Sequence, residues 1–292
     1  MRIFGNVAIY RWEGRASSRP FARRGHDGAW PSKLGHYRIY AILVLTCLLS
    51  FQTYADPGLS NQDARVILAR VLANRPVKDF SLKARLFVGS EDPVMVEILV
   101  KNTATETRTI YRAAQTQALV VQPVNSDPHF YLRGVGELVG AQRTEKLLGS
   151  EFSYYDLGLP FLRWPNPKLL DADDRVRGRD CFAIENSAEG EPYARVKIWI
   201  DKEYCALLRA EAFDKNGNLV RRFAVTSFKK IGEAWIPRGL EAAILPPGQS
   251  LPNQQKSRLE VYEGNYDTQL PVEWFATDGF RAAGSGGGNA AH

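Results

Sequence analysis

The side chains that could do covalent or acid–base chemistry are few and poorly placed for it. Outside its first 55 residues the 292-residue chain has two histidines, His129 and His292. His129 stands in a loop-like stretch beside Asp127 and Pro128, and His292 ends a Gly-rich tail, so a histidine-based triad or zinc site is not expected. Ser90, Ser150 and Ser153 have no base with a recognised signature near them. Asp171, Asp173 and Asp174 could chelate a divalent ion, but Arg175, Arg177 and Arg179 follow at once, which favours a solvated turn whose charges compensate one another. Asp214, Asn216 and Asn218 occupy the first, third and fifth positions of a calcium loop. Leu219, however, stands at the sixth, where the bend needs Gly, and Val225 at the twelfth, where a bidentate Glu belongs. Turn chemistry accounts for the three polar residues. Gly134, Gly136 and Gly140 fit the spacing of neither a phosphate loop nor a dinucleotide fingerprint, and Glu137 among them would repel phosphate. No catalytic residue, metal or cofactor is expected; the chain reads as a binding protein and not as an enzyme.

The overall charge is misleading as a guide to partners. The formal net charge is +6 and the pI about 9.2, but eight of the 38 basic and two of the 32 acidic residues lie in residues 1–55. The remainder is formally neutral, which removes the charge argument for a nucleic-acid partner. The leader has the parts of a secretory signal: Arg38 and other basic residues, an apolar run from Ile39 to Phe51, then Thr53, Tyr54 and Ala55 before Asp56. Cleavage after Ala55 and a periplasmic location are expected. The run of about 13 residues is shorter than the roughly 20 a spanning helix needs. An uncleaved anchor, or lipidation at Cys47 with Thr46 in the small-residue position before it, are the alternatives. Residues 1–33 look like neither a fold nor a signal n-region and read as mis-called upstream sequence, although no second Met precedes Met95.

The elements able to position a binding surface are mostly strands. Ser60 and Asp63 open a helix with Ala64, Ile67, Leu68, Val71 and Leu72 on one stripe. Phe80, Leu82, Ala84, Leu86 and Val88 alternate with polar residues, as do Val94, Val96, Ile98 and Val100. Strands over Thr105 to Tyr111 and Leu119 to Val124 follow. The clearest sheet runs from Arg195 to Glu241: Val196, Ile198 and Ile200 on one face, then Leu208, Ala210 and Ala212, a turn at Asp214 to Gly217, a strand from Leu219 to Phe228, and a hairpin through Gly232 to a strand around Leu240. Between these two strand-rich halves, Phe130 to Asn166 reads as helical and loop-rich, with a short capped helix carrying aromatics over Ser150 to Leu157 and a strip of large apolar residues at Phe161, Leu162 and Trp164 that must pack over something.

Gly149, Ser150, Phe152, Ser153, Asp156 and Leu157, then Gly178 and Cys181, then Trp199, Ile200 and Asp201, then Phe213, Asp214 and Gly217, and finally Trp235 and Pro237, resemble in order and spacing the outer-membrane lipoprotein-sorting family. These proteins are relatives of the LolA-type periplasmic carriers. The resemblance covers Ser60 to Phe280. It implies an α+β fold: a strongly curved, unclosed antiparallel sheet, or half-barrel, whose concave apolar face is covered by helices. It also implies a cavity for acyl chains, with lipoproteins or other lipids as ligands and inner- and outer-membrane sorting proteins as possible partners. The cavity arginine of the well-studied carriers has no match in the motif set. The domains are then residues 1–55 as leader, 56–280 as the LolA-like domain and 281–292 as a Gly-rich tail expected to be disordered.

On that architecture Phe80, Leu82, Leu86, Val96, Ile98, Ile198 and Leu208 line the concave face, with Phe152, Tyr154, Leu157, Phe161 and Trp164 in the lid. A one-residue register error would reverse the choice of face. A fully closed core remains the alternative, since any antiparallel sheet alternates in this way. Cys181 and Cys205, at strand edges in an oxidising compartment, are expected to pair in a disulfide closing about 25 residues and worth roughly 3 kcal/mol; two buried free thiols are the alternative. The expected function is shielding of acyl chains between the two membranes. The rival is an envelope interaction or sensor module that uses the same half-barrel to bind a protein.

Overall fold

The computed structural model describes residues 61–246 and 255–281; the leader with its expected cleavage after Ala55, Cys47, Ser60 and the tail beyond Arg281 lie outside the described residues. The chain opens with α1 (Asn61–Ala73), whose Ala64, Ile67 and Leu68 are buried against the sheet at helical spacing. Six strands follow: β1 (Phe80–Val88), β2 (Val94–Asn102), β3 (Glu106–Ala113), β4 (Thr116–Pro123), β5 (His129–Leu132) and the two-residue β6 (Gly136–Glu137). An irregular stretch over 138–167 contains α2 (Tyr154–Gly158) and short 3-10 turns. The second set is β7 (Lys168–Val176), β8 (Arg179–Asn186), β9 (Arg195–Asp201), β10 (Leu207–Phe213), β11 (Leu219–Ile231), β12 (Ala234–Ile244) and β13 (Gln255–Tyr266).

All the strand pairs are antiparallel, and the 13 strands form one sheet in the order β6-β5-β4-β3-β2-β1-β13-β12-β11-β10-β9-β8-β7. The two strand-rich halves of the sequence are therefore two meanders of a single sheet. They are joined where β1 pairs with β13, Phe80 opposite Tyr266 and Val88 opposite Ser257. Register shifts interrupt β1–β13, β9–β10, β10–β11 and β11–β12. Bulges of this kind increase local twist and bend the sheet, and its outer strands β6 and β7 do not meet. This is the unclosed, curved half-barrel.

The main core lies on the concave face. Phe80, Leu82, Leu86, Val96, Ile98, Val196, Ile198, Phe223 and Val225 belong to one cluster with α1 and the irregular stretch. Two smaller clusters occupy the other face. Leu99, Ile110, Leu119 and Val121 are covered by Phe275 and Phe280 from the 3-10 turns after β13, and Val176, Cys181, Ala183, Trp199 and Leu208 form the second.

Three sequence expectations are corrected. Leu208 packs with the outer cluster, because the register shift between Leu207 and Arg209 hands the concave position to Leu207 and then to Ala210. Cys181 and Cys205 are both free. Cys181 is sealed under Trp199 and Leu208, where burial pushes its thiol up, whereas Cys205 sits in the turn after β9 with φ at 49°. The charged stretch from Asp174 to Arg179 is not an isolated turn but the end of the β7–β8 hairpin, tied into the sheet. Lys197 Nζ and Trp199 Nε1 both donate to Asp174 Oδ2 at 3.0 Å.

Candidate functional site: the cover of the concave face

The stretch from Leu138 to Trp164 lies over the concave face and makes little regular secondary structure of its own. Its ordered centre is set locally. Ser153, three residues before Asp156, forms a reciprocal cap: the Asp156 N–H donates to Ser153 Oγ at 3.2 Å, and the Ser153 N–H donates to Asp156 Oδ2 at 2.7 Å. That pair starts α2, which lasts five residues. Phe152, Tyr154, Tyr155, Phe161, Leu162 and Trp164 are buried in the same cluster as the sheet. Phe152 meets Phe223 edge-on at 6.4 Å, and Tyr155 stacks on Phe130 and meets Tyr193 edge-on.

Polar side chains attach the cover to strands across the whole sheet. Gln122 on β4 donates to Gly158 O at 3.1 Å, and Asn186 on β8 donates to Phe161 O at 2.9 Å and Trp164 O at 3.1 Å. Ser257 on β13 accepts from the Glu151 N–H at 3.0 Å, and Arg65 on α1 donates to Pro165 O at 3.1 Å. Tyr155 donates to Glu191 Oε2 at 2.7 Å, in the loop between β8 and β9. Burial, and then the Glu191 carboxylate, push the Tyr155 hydroxyl above its ordinary range.

The strongest attachment is Arg221 on β11, in the row with Phe223 and Val225. It is 8% exposed and is the one buried basic side chain among the described residues. Its Nε donates to Asp156 Oδ1 at 2.9 Å, and its Nη2 reaches both Asp156 Oδ2 and Glu151 O. Asp156 is 4% exposed. Burial alone would lower the guanidinium's pKa; the Asp156 charge, with lesser help from Tyr193 and Glu151, more than offsets this and raises it, so Arg221 stays charged.

The cover is nonetheless imperfectly satisfied. Leu148 and Leu159, which bracket α2 and its cap, both adopt left-handed backbone, with φ of 52° and 48°. Bulky residues hold that conformation at roughly 1–3 kcal/mol each. Glu151 Oε2 and Arg163 Nε and Nη1 are buried without hydrogen-bond partners. Beyond the cover, the one such atom among the described residues is Thr268 Oγ1.

Of the residues expected at the site, Phe80, Leu82, Leu86, Val96, Ile98 and Ile198 lie on the concave face. Phe152, Tyr154, Phe161 and Trp164 lie buried in the cover, and Leu157 is half-buried against the same cluster. The polar attachments Gln122, Asn186, Arg221 and Ser257 were not anticipated. The signal for Arg221 was present: it falls two residues before Phe223 in a strand whose alternation places both on one face. No group of His, Cys, Asp and Glu among the described residues is arranged to hold a metal ion. The Asp214 carboxylate is occupied within its own turn, accepting from the N–H groups of Asn216 and Asn218 at 2.9 and 2.8 Å.

The fold is shared with proteins of known structure. An outer membrane lipoprotein-sorting domain from Vibrio parahaemolyticus aligns with a TM-score of 0.64 at 15% identity, over 75% of this chain and 98% of that one. A DUF1329 family protein from Desulfovibrio piger aligns at 0.62 and 16% identity with the same coverage. A LolA superfamily protein from Nitrosomonas europaea aligns at 0.50 and 17% identity, over 74% of this chain and 98% of that one. No curated protein matches the chain. A family model described as "-like: Uncharacterized protein" matches residues 125–281, which include the whole cover and the second meander. The chain thus belongs to that family, and its fold is the half-barrel of outer membrane lipoprotein-sorting domains and the LolA superfamily.

Proposed function

We propose that this is a periplasmic lipid-binding protein that shields acyl chains, those of lipoproteins or related lipids, between its concave sheet face and the 138–164 cover, and that it performs no catalysis. The observation that carries the reading is the way the cover is held. An ordinary core is closed by regular elements packed without strain. Here a large apolar face is covered by irregular chain, anchored through polar side chains and one buried ion pair, with left-handed leucines on both sides of α2. Such a cover can come away as a unit and leave an apolar surface suited to hydrocarbon. The sorting role named for the Vibrio domain is consistent with this ligand class.

Displacement of a fluorescent fatty acid, paired with a denaturant midpoint, tests the proposal on wild type and Trp164→Ala. Wild type is expected to bind saturably. Losing contact with two or three methylenes, at about 0.8 kcal/mol each, should weaken binding roughly tenfold to a hundredfold. The stability cost should stay below the roughly 3–5 kcal/mol of a core Trp. A fully folded wild type with no saturable binding, and a core-sized loss in the variant, would sink the carrier reading in favour of a protein-interaction module.

A further inference from the structure

Two arginines serve the cover, and their surroundings differ. Arg221 meets the Asp156 carboxylate directly, whereas Arg163, near the end of the cover, is half-buried and bonds only to a backbone carbonyl: Nη2 donates to Pro123 O, on β4, at 3.3 Å. Its Nε and Nη1 are sealed from solvent without partners. Burial lowers the pKa of this guanidinium, and the charge of Asp127, in the loop between β4 and β5, opposes that effect without overcoming it. A cation drawn out of water with donors unspent is costly, and folded proteins ordinarily give such a group its counter-charge. The residues on either side of it, Leu162 and Trp164, are buried in the concave-face cluster. An anion-seeking group is thus built into the wall that an acyl chain would touch.

We propose that Arg163 selects the polar end of the ligand, so that acyl compounds ending in an oxyanion, a carboxylate or a phosphate, bind in preference to those ending in an uncharged alcohol or ester. The inference rests on the acyl-binding reading above and narrows its ligand class. Arginine suits the task because it keeps its charge in a poorly hydrated place and offers several N–H groups for charge-assisted bonds to oxygen. With the chain against Leu162 and Trp164, an oxyanion at its end meets Nε and Nη1 when the cover lifts and the bond to Pro123 O is released. An uncharged end leaves the cation without its counter-charge. Asp127 is the competitor: its charge is felt at Arg163, but it makes no bond to the guanidinium and so leaves these donors for an incoming anion.

The test is displacement of the uncharged dye N-phenyl-naphthylamine from the purified protein at about pH 8, where a carboxylic acid is ionised. Two pairs of competitors differ at the polar end: dodecanoate against dodecanol, and lauroyl lysophosphatidylglycerol against monolaurin. Wild type should bind at least one anion about tenfold or more tightly than its uncharged counterpart, and whichever pair shows the larger preference separates a fatty acid from a phospholipid as the source of the oxyanion. Arg163→Met keeps much of the apolar stem and should erase the preference, weakening the anion by about tenfold while the uncharged compound stays within about twofold. Asp127→Asn removes the competitor and should tighten the anion alone. Equal binding of anion and uncharged compound by wild type in both pairs, or an Arg163→Met protein that keeps the preference or loses both compounds equally, overturns the selectivity and leaves the acyl-binding reading standing. Failure of wild type to bind any of the four compounds overturns both.

Discussion

Asp156 performs two tasks: it caps α2 through Ser153, and it neutralises Arg221 from 65 residues away. The first task was legible from the Ser-x-x-Asp spacing, a local signal. The second was not, because nothing in a sequence announces which charge a buried arginine meets across a fold. A double-mutant cycle separates the terms. Arg221→Met strands a carboxylate in the core and should cost roughly 3–5 kcal/mol, whereas Arg221→Met with Asp156→Leu removes both charges and should recover most of that loss, as read from urea midpoints. A second charged pair predicts a pH response. Asp201 accepts from Arg179 and from the N–H groups of Glu203 and Tyr204. Burial alone would raise this carboxyl, but these donors outweigh burial and hold it below its ordinary value of 3.8. A depressed folded pKa means that the stabilisation is complete above the unfolded value and is lost as pH falls through the folded one. Wild type should therefore lose stability below about pH 3.8, and Asp201→Asn should be weaker at neutral pH yet flatter across that acid range. Parallel acid titrations of the two midpoints, with equal slopes, would contradict the assignment.

At the level of elements, period-2 alternation revealed β1, β2 and β9, where apolar residues recur without interruption. It failed where a bulge or a charge broke the pattern. Leu208 was placed on the concave face because Leu208, Ala210 and Ala212 alternate cleanly; the extra residue at the Leu207/Arg209 shift changes which leucine turns inward. β7 was hidden by its acids, and β13 shows Ser257, Leu259 and Val261 inward among charged residues, a pattern too polar to stand out. The cover shows how tightly one element can depend on another. Gly158 ends α2 where a Cβ would come within 2.6 Å of the Phe130 ring and 3.1 Å of Pro128. Gly158→Ala should thus lift α2 from β5 at a cost of roughly 1–3 kcal/mol. If the cover gates the concave face, the same variant should speed fatty-acid entry in stopped-flow measurements. Slower or unchanged entry together with the stability loss would mean that the glycine serves packing alone.

Across the whole molecule, the two strand-rich halves of the sequence are separated by the cover, and one long-range pairing, β1 with β13, makes them one sheet. β1 and β13 lie at the middle of the strand order. With neighbours on both sides and α1 and the cover over the concave face, their amides should exchange slowest with solvent, and those of β6, β7 and residues 138–164 fastest, in native-state hydrogen exchange. The same pairing has a consequence for biosynthesis. The chain emerges from its N-terminal side, so β1 through β6 can zip into a meander while the partner of β1, which begins 118 residues after β6 ends, is still to be made. Until β13 arrives, Phe80 to Val88 presents a full-length open edge with an uncovered row of Phe80, Leu82 and Leu86, the kind of surface on which unfinished chains associate. Sequestration of β1 during synthesis is thus as much a requirement of this topology as the strand pairing itself, and the yield of native protein should be limited by how long that edge waits.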